Sequence, residues 1–142
     1  MQSFDLSFLD HVALRVSDLD RSAKWYEQIL GLKRVALPEW DPFPIMMLAG
    51  QTGLALFPAK SDDPPCPNRT RNVKLDHFAF RVSKESFESA KAYFVQLGID
   101  WQEQDHYYFR SIYLKDPDGH TVELTAVQIE HPIFQKPLME NP

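Results

Sequence analysis

Two histidines and one glutamate carry the chemistry most readily read from this chain. His11 and His77 occupy the same place in two copies of a nine-residue run, Leu9-Asp10-His11-Val12-Ala13-Leu14-Arg15-Val16-Ser17 and Leu75-Asp76-His77-Phe78-Ala79-Phe80-Arg81-Val82-Ser83, identical at seven of nine positions. Glu123 is the acidic member of Thr121-Val122-Glu123-Leu124-Thr125, a run that alternates polar and apolar residues. Alternation sends neighbours to opposite faces of a strand, so Glu123 points away from Val122 and Leu124, and each histidine points away from the apolar side chain that follows it. An isolated histidine is usually a satisfied structural residue. Two imidazoles at matching strand positions of a duplicated unit, together with one strand carboxylate, instead suit a facial set of donors for a divalent ion, with positions left open for water or substrate.

The repeat sets the architecture that must position these residues. After each nonapeptide, Ser22-Ala23-Lys24 and Leu30-Gly31-Leu32 are answered by Ser89-Ala90-Lys91 and Leu97-Gly98-Ile99, one residue out of step. Phe8 to Val16 reads as a strand. Ser17 with Asp20 three residues on reads as a helix start, and Leu19, Ala23, Tyr26 and Leu30 form an apolar stripe that Gly31 ends. Leu32 to Leu37, Ile45 to Ala49 and Leu54 to Phe57 are short strand candidates, separated by prolines and by Gly50 and Gly53. In the second copy a helix with Phe87, Ala90, Phe94 and Leu97 on one side stops at Gly98. Strands are expected over Ile99 to Glu103, Tyr108 to Lys115 and His120 to Val127, with Asp116-Pro117-Asp118-Gly119 turning between the last two. The fold class is therefore α+β: two tandem βαβββ modules, at about 8–58 and 75–127, forming open half-barrel sheets within one domain. A proline-rich linker at 59–74 joins them, and a tail at 128–142 follows.

Composition excludes several classes. The 142 residues are 44% hydrophobic, enough for a sizeable core, and the net charge of -5 gives no electrostatic footprint for nucleic acid. No apolar run is long enough to span a bilayer. Cys66 is the only cysteine, so no internal disulfide is expected, and its loop offers no basic neighbour to activate it as a nucleophile. The beginning of the chain lacks the basic and apolar regions of a secretory signal, which predicts a cytoplasmic protein with a small-molecule partner, not a membrane or nucleic-acid one.

These segments resemble the vicinal oxygen chelate superfamily, which holds glyoxalase I, bleomycin-resistance proteins, extradiol dioxygenases and fosfomycin-resistance thiol transferases. The likeness runs from about Phe8 to Val127, carried by LDHVALRVSDLDRSAKWYEQILGL, by LDHFAFRVS and by SIYLKDPDGHTVEL, whose DPDG turn before a strand glutamate is the most specific part. The resemblance implies metal ligands at His11, His77 and Glu123 and one divalent ion, iron(II), manganese, nickel or zinc. It further implies a small substrate that chelates the ion through two oxygens, and a homodimer. In many relatives the first histidine comes from one subunit and the second histidine and glutamate from the other. Isomerase, lyase, transferase, oxygenase and sequestering activities all occur on this fold, so the resemblance gives a site and leaves the reaction open.

Departures from the family patterns narrow the field. In glyoxalase I a fourth ligand comes from the last strand of the first module, which here reads Leu54-Ala55-Leu56-Phe57, with Leu56 and Phe57 expected at the answering place. Fosfomycin thiol transferases carry a threonine where Ala13 stands and a phosphonate-binding lysine where Glu103, Gln104 and Asp105 stand, so anion recognition and that activity rank low. Three ligands with open positions are compatible with extradiol-type ring cleavage or with an enediolate-forming lyase or isomerase. For such chemistry the candidate catalytic residues are Glu123, Tyr113 and His106. Tyr113 shares a strand face with Ser111 and Phe109 beside the strand of Glu123, whereas His106 sits in a hairpin turn, where an exposed polar residue is an equal reading. The rival function is a metal-free small-molecule-binding protein of the bleomycin-resistance kind. Trp40, Phe43, Met46 and Met47 read as core, Arg15 and Arg81 as partners of acidic residues at a sheet end, and His120 and His131 as surface residues.

Overall fold

The structure, a computed structural model, describes residues 2–67 and 70–135. Contacts divide the chain into two units, the first ending at Lys60 and the second beginning at Ser61. The first contains strand β1 (His11–Val16), helix α1 (Leu19–Leu30) and strands β2 (Lys33–Val35), β3 (Ile45–Ala49) and β4 (Thr52–Pro58). The second contains β5 (Phe78–Arg81), α2 (Lys84–Leu97), β6 (Gln102–Asp105), β7 (Phe109–Lys115), β8 (Thr121–Val127) and a one-turn helix α3 (Pro132–Gln135). Each unit is thus the expected βαβββ module. A 3-10 turn at Pro38–Trp40 and the helix α3 are additions that the sequence pattern does not announce. The remainder of the predicted tail, residues 136–142, lies outside the described residues.

The two sheets have the same strand order, β1-β4-β3-β2 and β5-β8-β7-β6. The first and last strands of each module pair in parallel because a helix carries the chain back across the sheet between them, while the later strands form antiparallel ladders. Leu14, Val16, Met47, Leu54 and Leu56 are buried in the first unit together with Ala23 and Tyr26 of α1. In the second, Ile112, Leu114, Val122, Leu124 and Ala126 are buried with Phe87 and Phe94 of α2. Period-two alternation therefore gives each sheet one core face and one face free for chemistry. Of the apolar stripe predicted for α2, Leu97 falls outside the core at 45% exposure.

The two helices start at different points of the repeated motif. Ser83 caps α2 by accepting a hydrogen bond from the Ser86 amide. In the first copy the equivalent Ser17 does not cap; Asp18 accepts from the Arg21 amide, so α1 begins one residue later. Lys84 stands where Asp18 would be and has no acceptor to offer, which moves the second cap back onto the serine. Gly31 and Gly98 close the two helices with φ values of 68° and 69°, a left-handed backbone that glycine adopts without steric cost. Gly53 is needed for a different reason. A Cβ there would lie 2.1 Å from the backbone oxygen of Met47 across the β3–β4 ladder, so only a residue without a side chain fits.

Candidate functional site

The free face of the second sheet is a row built by register. Ala79 of β5 lies opposite Glu123 of β8, Glu123 opposite Tyr113 of β7, and Tyr113 opposite Gln102 of β6. Thr125 and Ser111 form the next pair, joined by a 2.9 Å hydrogen bond between their hydroxyls, with Ser111 fully buried. His77 precedes β5 by one residue, so the strand begins later than the repeated motif suggests. It nevertheless reaches the row, and its Nε2 is 2.9 Å from Oε2 of Glu123.

The contacts on either side of this pair continue as one chain. Nδ1 of His77 is 2.8 Å from Oδ2 of Asp76, which fixes the ring and directs Nε2 at Glu123. That hydrogen bond, assisted by the charges of Lys74, His77 and Lys115, outweighs burial and holds the Asp76 carboxyl below its usual range. Glu123, only 8% exposed, accepts the Tyr113 hydroxyl on Oε1 at 3.1 Å. Burial first, and then the neighbouring Glu123 charge, push the Tyr113 phenol above its ordinary value, so it remains a donor at neutral pH. The same hydroxyl oxygen is 2.8 Å from Nε2 of His106. With the tyrosine proton committed to Glu123, this contact requires His106 to carry its proton on Nε2. The turn that holds His106 is closed by hydrogen bonds between His106 and Phe109 and between Tyr108 and His106, so it is anchored to the strand that bears Tyr113.

The first unit holds the matching histidine without the matching carboxylate. His11 Nδ1 is 2.7 Å from Asp10 Oδ1, the same pairing as in the second copy, which again leaves Nε2 available. The register then gives Ala13 opposite Ala55, Ala55 opposite Met46, and Met46 opposite Val35. Ala55, not Leu56 or Phe57, therefore stands at the place of Glu123; Leu56 is on the core face and Phe57 is one step further on. Where the second face is polar, the first is apolar. Among the described residues no group of three or more His, Cys, Asp or Glu side chains is assembled as a metal site. The structure brings His77 and Glu123 together, and His11 belongs to the other unit.

Several expectations are corrected by partners that only the fold supplies. Glu103 pairs with Ile112 of the core face and is bound by Lys91 of α2 and by Arg110 at 3.3 and 3.1 Å. Burial raises its carboxyl, and the two cations outweigh burial to hold it below the usual range. Gln102 and Gln104 take the free face instead, so the acidic stretch that argued against anion recognition turns its Glu103 away from the site. Among the described residues Arg15 and Arg81 form no ion pair with an acid: Arg15 donates to the Pro58 carbonyl at 3.0 Å, and Arg81 lies over the Phe109 ring at 4.8 Å. His120 is not a plain surface residue, because Asp116 holds its Nδ1 at 2.8 Å inside the turn. Met47 is core as expected, whereas Trp40 and Phe43 are about two-fifths exposed, at 40% and 41%.

A cavity of about 830 Å³ opens onto His77, Asp76 and Tyr113. Its wall also contains Arg71, Lys74 and Lys115, which the sequence reading did not single out. Lys115 was accessible to it, since it lies two residues beyond Tyr113 on the same strand and hence on the same face. Arg71 and Lys74 belong to the connecting segment, where no periodicity points.

Comparison with known proteins agrees with the fold. The family model of the Glyoxalase/Bleomycin resistance protein/Dioxygenase superfamily matches residues 8–124. The chain is 31% identical over 121 residues to a glutathione transferase FosA from Serratia marcescens, covering 84% of this chain and 80% of that one. It is 29% identical over 118 residues to a metallothiol transferase FosB from Lysinibacillus sphaericus, covering 81% and 79%. Among solved structures, a lactoylglutathione lyase from Agrobacterium tumefaciens superposes with a TM-score of 0.66 at 26% identity, over 85% of this chain and 94% of that one.

Proposed function

Because the chain belongs to the glyoxalase/bleomycin resistance protein/dioxygenase superfamily, we propose that it is a divalent-metal-dependent enzyme acting on a small substrate that chelates the ion through two oxygens. His77 and Glu123 are two of the ligands, and His11 is the third, from the same chain or from a second copy. The observation that carries this reading is the His77–Glu123 contact at 2.9 Å, with the far ring nitrogen committed to Asp76. The donor set fits the group: two imidazoles, each with Nδ1 held by the preceding aspartate, and a nearly buried carboxylate. A divalent ion bound there supplies Lewis acidity to the two substrate oxygens. Iron(II), manganese, nickel and zinc all suit such donors.

The protein's own residues supply the proton chemistry. Tyr113 presents a protonated phenol at the ligand carboxylate and donates to a substrate oxygen as negative charge develops on it. His106 is a positioning residue that fixes the phenol oxygen. This arrangement serves ring cleavage of a catechol, and equally a lyase or isomerase step in which a proton is removed beside a carbonyl. Thiol transfer is the second reading, favoured by the named activities of the FosA and FosB relatives; Ala13 stands where the fosfomycin enzymes carry threonine, and the stretch Glu103, Gln104 and Asp105 stands in the region of their phosphonate-binding lysine.

The test is metal content followed by a substrate panel. Protein purified without chelators should contain a divalent metal, Glu123→Ala should lose it, and His120→Ala should retain it. Catechols with oxygen uptake, 2-oxo and 2-hydroxy carbonyl compounds, and epoxides with thiols, each tried with the four metals, separate the reaction classes. Equal metal binding in wild type and Glu123→Ala would sink the assignment. So would tight binding of an aromatic ligand by metal-free protein with no turnover under any pairing, the behaviour of a sequestering protein.

A further inference from the structure

The cavity beside His77 is basic in a protein that is acidic overall. Arg71, Lys74 and Lys115 line it against only two acids, Asp76 and Asp100, while the whole chain carries a net charge of -5. Asp76 is committed to His77 at 2.8 Å, and Lys74 lies 3.8 Å from its other oxygen. The Lys115 ammonium donates to the Thr121 hydroxyl, which places it on the wall of the cavity, and no ion pair engages Arg71 or Lys115 among the described contacts. The glutamate that would have opposed these cations, Glu103, points to the other face of the sheet, where Lys91 and Arg110 neutralise it. With Asp76 held by His77, the cations outnumber the acids on this wall, and an excess of one sign of charge in a concave site concentrates ions of the other sign.

We propose that Arg71, Lys74 and Lys115 form a subsite for an anionic group, a carboxylate or a phosphate, on the molecule that occupies this cavity. The inference deepens the functional reading above, since the same molecule would present its oxygens to the His77–Glu123 side. The planar fork of Arg71 donates to two oxygens of one anionic group, and the lysines supply point charges. The substrate is then a chelating small molecule with an acidic arm, and neutral catechols or ketones of the same shape are poor ligands.

The experiment uses the full-length protein stripped of divalent ions, so that its outcome does not depend on the metal assignment. Inorganic phosphate and acetate are titrated calorimetrically in turn at low ionic strength. Saturable binding in the millimolar range is expected for at least one of them, weakening as potassium chloride is added. Preference for phosphate identifies a dianion site and preference for acetate a carboxylate site. The Arg71→Gln/Lys115→Gln double variant should bind at least about tenfold more weakly, a smaller loss than two hydrogen bonds to a charged group can produce. Lys33→Gln, outside this cavity, should bind as wild type, and the thermal midpoints of all three proteins establish that they are folded. Unchanged affinity in the double variant, or no saturable binding of either anion, overturns the proposal. A protein that binds anions but no metal would instead refute only the metalloenzyme reading.

Discussion

Tyr113 is useful because it keeps its proton. Burial and the Glu123 charge both disfavour the phenolate, so the residue acts as a donor throughout the neutral range. Tyr113→Phe should therefore lower kcat on the order of 10²-fold while changing KM much less, the pattern of a donor that matters most as charge develops. Steady-state kinetics on whichever substrate the panel yields checks this, and a rise in KM alone would contradict it. His120 makes a separate contribution, to stability. The Asp116 hydrogen bond raises its pKa above the ordinary histidine value, against the effect of burial. A raised folded-state value stabilises the protein fully below the unfolded-state pKa, and the contribution is lost as pH climbs through the folded one. Denaturant unfolding at about pH 5.5 and about pH 8.5, which bracket histidine titration, should show wild type losing an increment of stability that His120→Gln does not lose.

At the scale of elements, β4 is the strand with least tolerance. Gly53 lets the β3 backbone approach to a distance that any Cβ would violate, and the atom met is a carbonyl oxygen that cannot swing aside. Gly53→Ala should cost about 1–3 kcal/mol or more, as overpacking does, even though alanine suits a strand better than glycine. Chemical denaturation measures it, and an unchanged midpoint would show that β3 shifts without penalty. Strand β6 illustrates the opposite case. Its sequence, Gln102-Glu103-Gln104-Asp105, contains no apolar residue, and only the ladder with β7 decides that the glutamines face the site and Glu103 the helix.

At the scale of the whole molecule, the two faces differ in kind. The second unit carries Glu123, Tyr113 and Gln102 where the first carries Ala55, Met46 and Val35. The first unit has Ala55 at the place of Glu123, so the ligand role proposed for His11 needs donors from a second unit. We expect a homodimer in which each set draws on both copies. His11→Ala and Glu123→Ala chains, co-expressed with different tags and purified as a mixed pair, should recover one intact set and about half the wild-type metal, by mass action of one set in two. No recovery would place all three ligands in one chain, and a monomeric mass by light scattering would rule out pairing.

The sequence by itself determined the duplication, the βαβββ order of each module and the face membership of those strands that alternate polar and apolar residues. These follow from local rules: repeated motifs, an apolar stripe at helical spacing, and alternation that puts Tyr113, Glu123 and Lys115 on faces away from the core. It also made His11, His77 and Glu123 visible as candidates. It did not fix which residues meet. The sequence pattern puts Leu56 and Phe57 at the place answering Glu123 and the fold puts Ala55 there, because a shift of one residue exchanges the two faces and only cross-strand pairing sets that register. The hydrogen bond from His106 to Tyr113 joins a turn to a strand interior, the Glu103 carboxylate is drawn to Lys91 of a helix, and Arg71 and Lys74 reach the cavity from an irregular segment. Each of these depends on a contact between residues far from periodic neighbours, and such contacts exist only once the chain has folded.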